Sequence, residues 1–259
     1  MELAHAKREN IWFGINLAVS VLILLGLARL LLAVLDGGLQ AVFMGSTLAL
    51  YIAFLALYLF VAKGIMIGYL RGNGVRISER QYPELYRVFR EQVAALGLKR
   101  EPAFYLVQSG GALNAFATRM MFRDYVVMYS DLVEAAYEEG EKAVSFVIGH
   151  ELGHIARGHL VKGALVSLAS LLFPLRLAYS RACEYTCDEI GAKLTGGGSE
   201  TGLAILAAGK RLYRNLDLAE YLASAAREGG FLVWFAEFMS THPNLPRRIA
   251  ALSGRGTST

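Results

Sequence analysis

The chain has 259 residues, of which 55% are hydrophobic and 19% charged, and its mean hydropathy is +0.40. Soluble domains carry about 25% charged residues, so this composition is not that of an ordinary soluble protein and indicates membrane-embedded segments. The formal net charge is +4, but the chain has no run rich in lysine and arginine. The charge therefore does not indicate a nucleic-acid partner.

Two long apolar stretches near the N-terminus predict transmembrane helices over about residues 11–35 and 41–70. Residues 11–28 and 41–62 contain no charged side chain. Each stretch is long enough to cross the hydrocarbon core of a membrane, which takes about 20 helical residues. A short break at Asp36-Gly37-Gly38 joins them as an antiparallel hairpin. We therefore expect residues 1–72 to form an N-terminal segment embedded in the lipid bilayer.

Basic residues flank this hairpin on one side. Lys7 and Arg8 precede the first stretch and Arg71 follows the second, whereas the connecting turn contains no lysine or arginine. The positive-inside rule then predicts that residues 73–259 form a domain facing the cytoplasm. The membrane we expect is a prokaryotic cell (inner) membrane. The alternative is a cleaved signal peptide, which would place the domain outside, but the first stretch is long for one and lacks a small-residue cleavage site.

From Val75 onwards the composition is that of a soluble domain, and its pattern predicts a mostly helical α+β fold. Apolar periodicity predicts helices over residues 78–96, 131–136 and 141–157 and strands over residues 103–107 and 125–129. Ser199 is the predicted N-cap of a later helix. Residues 163–175 are apolar but too few to span a bilayer, so we expect a core helix or a helix that contacts the bilayer or the first two helices.

The sequence His150-Glu151-Leu152-Gly153-His154 fits the pattern HExxH within a predicted helix. Residues four apart share one face of a helix. The two imidazoles there can hold one zinc ion, and Glu151 lies beside it to act on a water molecule. The alternative is a pair of core histidines satisfied by hydrogen bonds. The whole chain has only five histidines, so a chance match to HExxH is improbable and this alternative is disfavoured.

A zinc hydrolase needs a third protein ligand. Glu184 and Asp188 are four residues apart on one predicted helix, so Glu184 can coordinate zinc while Asp188 accepts a hydrogen bond from a ligand histidine. Three alternatives stay open at this point. His159 is a second candidate ligand, Cys187 is a candidate thiolate ligand, and both acids would otherwise lie on a solvated face, paired with Arg181.

These motifs together resemble the HtpX-like membrane metallopeptidases, a family that includes the CAAX prenyl proteases and the mitochondrial Oma-type peptidases. The resemblance covers about residues 77–252. It is carried by HELGH at 150–154, SRxxExxxD at 180–188, Asn114-Ala115-Phe116-Ala117, Thr241-His242-Pro243 and Arg248-Ile249. It implies a transmembrane helical hairpin followed by a gluzincin-type zinc peptidase domain with a small β-sheet.

The resemblance also implies roles for individual residues. The zinc ligands are His150, His154 and Glu184, with one zinc ion per chain. Glu151 is the catalytic acid/base, and Asp188 accepts a hydrogen bond from a ligand histidine. His242 and Arg248 lie near the cleft, where they stabilise the oxyanion or buttress the site. An edge strand that pairs with an extended substrate contains Asn114, Ala115, Phe116 and Ala117.

The chain departs from the family pattern in one place. HtpX-type members usually carry a second hydrophobic hairpin between HExxH and the third ligand, and here residues 161–177 alone fill that interval. The resemblance therefore does not extend to an intramembrane catalytic chamber, nor to the processing of prenylated proteins.

Taken together, the sequence predicts a membrane-anchored zinc-dependent endopeptidase that hydrolyses polypeptide substrates with a zinc-activated water, in membrane-protein quality control. Two alternatives remain open: a zinc hydrolase that acts on other bonds, and a non-catalytic membrane protein with a structural zinc ion.

Overall fold

The structure, a computed structural model, describes residues 1–108, 110–138, 140–172 and 174–254. Over these residues the chain is mostly helical. The helices are α1 (Ala6–Asp36), α2 (Gly38–Asn73), α3 (Pro83–Ala95), α4 (Ser130–Glu138), α5 (Glu141–Ala156), α6 (His159–Leu165), α7 (Leu175–Thr195), α8 (Ser199–Leu212), α9 (Leu218–Arg227), α10 (Phe231–Phe238) and α11 (Leu245–Leu252), with short 3-10 helices at Ser167–Leu171 and Tyr213–Asn215. The strands are β1 (Val75–Arg76), β2 (Ala103–Val107), β3 (Ala115–Met120) and β4 (Arg123–Tyr129).

The described strands form one mixed sheet in the order β1-β2-β4-β3. β2 pairs parallel with β4, with Ala103 opposite Tyr125 and Val107 opposite Tyr129. β3 pairs antiparallel with β4, and β1 antiparallel with β2. Within this sheet β3 is an edge strand, so one side of its backbone is available for a further strand.

Both faces of the sheet are covered, which explains why β2 and residues 125–129 of β4 are continuously apolar and not alternating. Because side chains alternate between faces, Phe104 and Val126 point into the main core formed with α3, α4 and α5. Tyr105 and Val127 point the other way and pack against Ile67 near the end of α2.

α1 and α2 are the helices, among the described residues, that are long and apolar enough to cross a membrane. They are separated by Gly37 alone, and they contain the predicted stretches 11–35 and 41–70. Both helices pack on the domain at the ends remote from Gly37: α1 near Glu9, and α2 near Leu70. Residues 21–66 include no buried side chain, so most of the hairpin extends away from the domain.

The apolar segment after α6 packs against α1. Val166 and Ala169 are fully buried, and Val166 shares a small core with Tyr179 and with Trp12 of α1. The predicted contact of residues 163–175 with the first two helices is therefore confirmed for α1. Phe173 lies outside the described residues.

Most local predictions for the domain are confirmed within one or two residues, but two are wrong. The helix predicted from residue 78 begins at Pro83, because Ser78 forms a β-bridge with Gln81 and proline favours a first helical turn. Ser199 is the first residue of α8 and not its N-cap, which is Gly198. A side chain at Gly198 would meet the backbone of Lys142 at 2.6 Å, so the close approach requires glycine there.

α5 and α7 approach each other closely through glycine. A Cβ atom on Gly149 would lie 3.0 Å from the Cα of Gly191, and one on Gly153 would lie 3.3 Å from Sγ of Cys187. A Cβ atom on Gly191 would lie 2.8 Å from the carbonyl oxygen of Phe146. The absence of side chains at these points lets the polar groups of the two helices meet.

We predict that Gly191→Ala destabilises the protein. The new methyl group meets backbone, which cannot rotate away, so α5 and α7 must separate, and such overpacking costs about 1–3 kcal/mol. The midpoint of thermal unfolding in detergent measures the loss. Gly72→Ala is the control, because Gly72 is helical and has no atom within 4 Å of an added Cβ. Equal stability of the two variants would contradict the prediction.

Candidate metal centre

α5 and α7 bring three candidate ligands together. The Nε2 atoms of His150 and His154, one turn apart on α5, lie 3.3 Å from each other. The carboxylate of Glu184 on α7 faces both rings, with Oε2 at 3.5 Å from Nε2 of His150 and Oε1 at 3.4 Å from Nε2 of His154. The structure thus brings together the three residues that the sequence predicts as zinc ligands.

The spacing of these atoms fits a tetrahedral metal ion. Ligand bonds to zinc are about 2.0–2.2 Å long, which separates tetrahedral ligand atoms by about 3.3–3.6 Å. The separation of the two Nε2 atoms lies within that range, and so does the distance from each Nε2 atom to one oxygen of Glu184, Oε2 for His150 and Oε1 for His154. His150 and Glu184 are buried, whereas the side chain of His154 is 18% exposed, so the group is reachable from one side.

Asp188 and Arg248 lie behind the ligands. Oδ1 of Asp188 is 2.8 Å from Nδ1 of His150, the contact that the sequence predicts. Arg248 donates two hydrogen bonds to Asp188, at 2.7 and 2.6 Å, and its Nη1 lies 3.2 Å from Glu184. Asp188 is 1% exposed and Glu184 4% exposed. The alternative in which both acids lie on a solvated face is therefore wrong.

The electrostatics of this network favour a bound cation. Burial raises the pKa of Glu184, but hydrogen bonds from His150 and His154 outweigh burial and lower it well below its usual value. Burial likewise raises the pKa of Asp188, and the charge of Arg248 reverses that effect, so this pKa is lowered. Burial lowers the pKa of His150, yet its hydrogen bonds to Asp188 and Glu184 raise it to about 10. The ionised carboxylate of Glu184 thus faces the two rings, and that of Asp188 lies behind His150.

Glu151 is buried beside the ligands. Burial raises the pKa of its carboxyl group, although the neighbouring histidines His150 and His154 act in the opposite direction. A carboxyl group whose pKa is raised can both accept and release a proton during a reaction. Glu151 therefore has the environment of a general base.

His242 and Arg248, predicted near the cleft, occupy different places. The ring of His242 is 61% exposed, and its Nε2 lies 3.6 Å from Oε1 of Glu184, which puts His242 at the mouth of the site. Arg248 is buried behind Glu184. Its contacts favour the buttressing alternative for Arg248, whereas the position of His242 suits contact with a substrate.

The residues predicted to bind substrate lie at the edge of the sheet. Ala115, Phe116 and Ala117 begin β3, the edge strand next to β4, and β3 packs beside α5. Asn114 precedes the strand, and its carbonyl oxygen accepts a hydrogen bond from the backbone N–H of Tyr129 at 2.9 Å. The expected edge position is confirmed.

A second group of potential ligands lies on the other side of His154. His159 Nδ1 is 3.1 Å from Nδ1 of His154 and 3.5 Å from Sγ of Cys187. Burial raises the pKa of Cys187 well above its usual value, which disfavours the thiolate that a metal would bind. The group containing Glu184 is therefore the better metal site, and neither His159 nor Cys187 belongs to it.

Sequence reasoning missed two features of the surroundings. Arg181 does not pair with the acids of its own helix. It donates hydrogen bonds to the carbonyl oxygens of Glu237, Phe238 and Ser240, and so holds the segment that leads to His242. The other feature is a contact between His159 and Glu9 of α1. The signal for it in the sequence is the position of Glu9, an acidic residue just before the first apolar stretch.

The profile of peptidase family M48 matches residues 79–173 and 160–256, which is more than half of the chain. The chain belongs to peptidase family M48. The resemblance to HtpX-like metallopeptidases is thereby confirmed.

Individual M48 relatives are distant. Protease HtpX of Pseudomonas fluorescens (strain Pf0-1) is 27% identical over 55% of this chain and 62% of its own length. Metalloprotease LoiP of Escherichia coli (strain K12) is 37% identical over 29% of each chain. The crystal structure of S. mikatae Ste24p matches the fold with a TM-score of 0.50 at 17% identity, covering 77% of this chain and 56% of that one. The chain thus spans less than two thirds of the length of these proteins.

We predict that Arg248→Gln destabilises the protein strongly. The substitution leaves Asp188 and Glu184 buried without their cation, and removing one partner of a buried ion pair costs about 3–5 kcal/mol. Chemical unfolding in detergent with a chelator present measures the loss without a contribution from metal. Arg247→Gln is the matched control, because Arg247 is 63% exposed on the same helix. A loss of the same size in both variants would show that Arg248 is not a special support.

Proposed function

We propose that this M48 protein is a membrane-anchored zinc-dependent endopeptidase that binds one zinc ion per chain. The observation that carries the proposal is the convergence of His150, His154 and Glu184 at distances suited to one tetrahedral ion. Two imidazoles and one carboxylate form a donor set typical of catalytic zinc sites, which leave a position for water or substrate. Structural zinc sites are usually closed and rich in cysteine, and neither cysteine belongs to this triplet.

The surrounding residues have separate parts in the proposed reaction. His150, His154 and Glu184 would hold the zinc ion, which would supply Lewis acidity to polarise a carbonyl group and acidify water. Glu151 accepts the proton of the attacking water and passes it to the leaving amine. Asp188 accepts a hydrogen bond from Nδ1 of His150, which leaves the lone pair of Nε2 directed into the site. Arg248 keeps Asp188 and Glu184 in place.

The edge strand supports a peptide as the substrate in preference to other hydrolysable bonds. A polypeptide in extended conformation can pair with the free edge of β3, and backbone hydrogen bonds of this kind do not depend on sequence. We place Asn114, Ala115, Phe116 and Ala117 along that substrate. His242 at the mouth of the site can then donate a hydrogen bond to the carbonyl oxygen under attack.

The burial pattern of α1 supports a membrane location. Within α1, all of which the structure describes, the buried residues are Glu9, Asn16 and Ser20, while its leucines, Ile11 and Ile15 are exposed. In water a helix buries its apolar face, so the reverse pattern indicates that lipid covers the rest of α1. Asn16 donates a hydrogen bond to the carbonyl oxygen of Leu175, and Ser20 accepts one from the backbone of Ala169.

The domain packs on the two hairpin ends that carry Lys7, Arg8 and Arg71, and the positive-inside rule assigns those ends to the cytoplasm. The proposed zinc site then lies close to the membrane surface. Its substrates would be polypeptides at that surface, in keeping with membrane-protein quality control.

We predict that Glu151→Gln keeps zinc and loses peptide cleavage. The amide preserves the shape of the side chain but cannot accept a proton, and loss of a general base reduces turnover about 10²–10⁴-fold. Zinc content and chelator-sensitive digestion of an unfolded protein are measured on the same detergent-purified sample. His154→Ala is the comparison that loses both zinc and activity. Unchanged turnover in Glu151→Gln would remove Glu151 from this role, and zinc-loaded wild type without peptidase activity would favour another hydrolase or a structural zinc.

We predict that the turn of the hairpin lies outside the cell and the domain inside. Leu39→Cys places a thiol at a residue that is 89% exposed beside the turn, and Glu91→Cys places one on the surface of α3. Cys183 and Cys187 are buried and give a low background. In intact spheroplasts a membrane-impermeant maleimide should label Leu39→Cys, and Glu91→Cys only after permeabilisation. The opposite result would place the domain outside.

A further inference from the structure

The proposed reaction leaves one buried polar chain without a role, and this chain starts at a proposed zinc ligand. Nδ1 of His154, the nitrogen that faces away from the triplet, lies 3.1 Å from Nδ1 of His159. On the far side of that ring, Nε2 of His159 lies 3.2 Å from Oε1 of Glu9. His159 is 7% exposed and Glu9 is 0% exposed. The polar chain therefore connects the site to the first turns of α1.

Metal binding fixes the order of donors and acceptors along this polar chain. A neutral imidazole carries one N–H group. If Nε2 of His154 binds a metal, the proton of His154 is on Nδ1 and is donated to Nδ1 of His159. The proton of His159 is then on Nε2, which faces the carboxylate of Glu9. The reverse order would put a proton on Nε2 of His154 and block the metal.

We infer that Glu9 and His159 are positioning residues for the metal ligand His154, so that the first helix supplies part of the metal site. The inference rests on the proposed zinc site. It gives both ligand histidines the same kind of support: His150 is backed by Asp188 directly, and His154 is backed by Glu9 through His159. A carboxylate behind a ligand histidine fixes its tautomer and orientation and strengthens it as a ligand.

Two cations of the domain hold the carboxylate of Glu9 in place. Nε and Nη2 of Arg157 donate to its two carboxylate oxygens at 3.2 and 3.1 Å, and Nζ of Lys162 lies 3.3 Å away. Both cations follow the HExxH helix in sequence, so they hold α1 against the same part of the domain that carries His159. In the structure the contact between His159 and Glu9 is close, but its alignment falls short of a hydrogen bond.

Two rival roles for these residues are distinguishable by experiment. In the first, Glu9 is an anchor for α1 that has no effect on the metal. In the second, His154, His159 and Cys187 hold a metal of their own, which would require a thiolate at Cys187. The positioning role and its two rivals differ in the zinc affinity and the metal–sulfur bonding that they predict.

The test uses the full chain in detergent and measures the zinc dissociation constant by competition with a chromophoric chelator. Glu9→Gln keeps the shape of the side chain and removes its charge, and His159→Phe removes both ring nitrogens. Each should weaken zinc binding about 10–100-fold, the range found for partners of ligand histidines. The zinc affinity of the double variant should be no lower than that of the single variant with the lower affinity, because both substitutions break the same polar chain.

Glu189→Gln is the matched control for anchoring. Glu189 accepts hydrogen bonds from the backbone N–H groups of Ala4 and His5, so it also holds the N-terminal segment on α7, but it is not part of the polar chain to His154. This variant should bind zinc as wild type does, even if its thermal unfolding midpoint falls as much as that of Glu9→Gln.

The outcomes separate the three roles. Unchanged zinc affinity in Glu9→Gln and His159→Phe would overturn the inference and leave Glu9 as an anchor. Equal weakening in Glu189→Gln would do the same, because loose docking alone would then account for the effect. Cobalt-substituted wild type with a thiolate charge-transfer band would also overturn it in favour of the Cys187 site. If wild type binds no zinc at all, the proposed function is wrong and the inference that rests on it is overturned as well.

Discussion

The close approach of α5 and α7 is the contact on which the site depends. Neither Gly149 nor Gly191 has a side chain, so the two helix backbones lie nearly in van der Waals contact where they cross. With a larger residue there, the carboxylate of Glu184 would be moved away from the two imidazoles, and the ligand separations of 3.3–3.5 Å would be lost. Packing of small residues thus sets the geometry of a polar site.

A site of this kind needs more charge compensation than its ligands provide. Glu184 and Asp188 are both buried and ionised, and each would be costly to hold in the interior alone. Arg248 contacts both of them from α11, far away in sequence. Its guanidinium can satisfy two carboxylates at once because its donors form a rigid planar fork. Among the described residues Glu151 forms no ion pair of this kind, and its pKa is raised, not lowered. The same pocket therefore keeps two carboxylates charged and one ready to exchange a proton.

The N-terminal hairpin contributes more than attachment to a membrane. The face of α1 that meets the domain carries buried polar groups beside Trp12 and Phe13. The polar groups bond to α6, α7 and the segment between them. Buried polar groups of this kind are stable only where the protein satisfies their hydrogen bonds, since lipid cannot. The hairpin and the domain are accordingly held together by these contacts, and His159 alone lies between Glu9 and the proposed metal ligand His154.

The sequence by itself determined the features that arise from local spacing. The apolar stretches predict α1 and α2 because membrane thickness fixes their length, and HExxH predicts that His150 and His154 share a face because a helical turn is close to four residues. The pairing of Glu184 with Asp188 follows from the same rule. Tertiary structure alone decided the role of Arg248 as a buttress, the contact of Glu9 with His159, and the use of Arg181 to hold the segment before His242. These contacts join residues 56–150 positions apart in the chain. Local periodicity in the sequence does not determine which helices pack together, or which side chains meet at the contact between them.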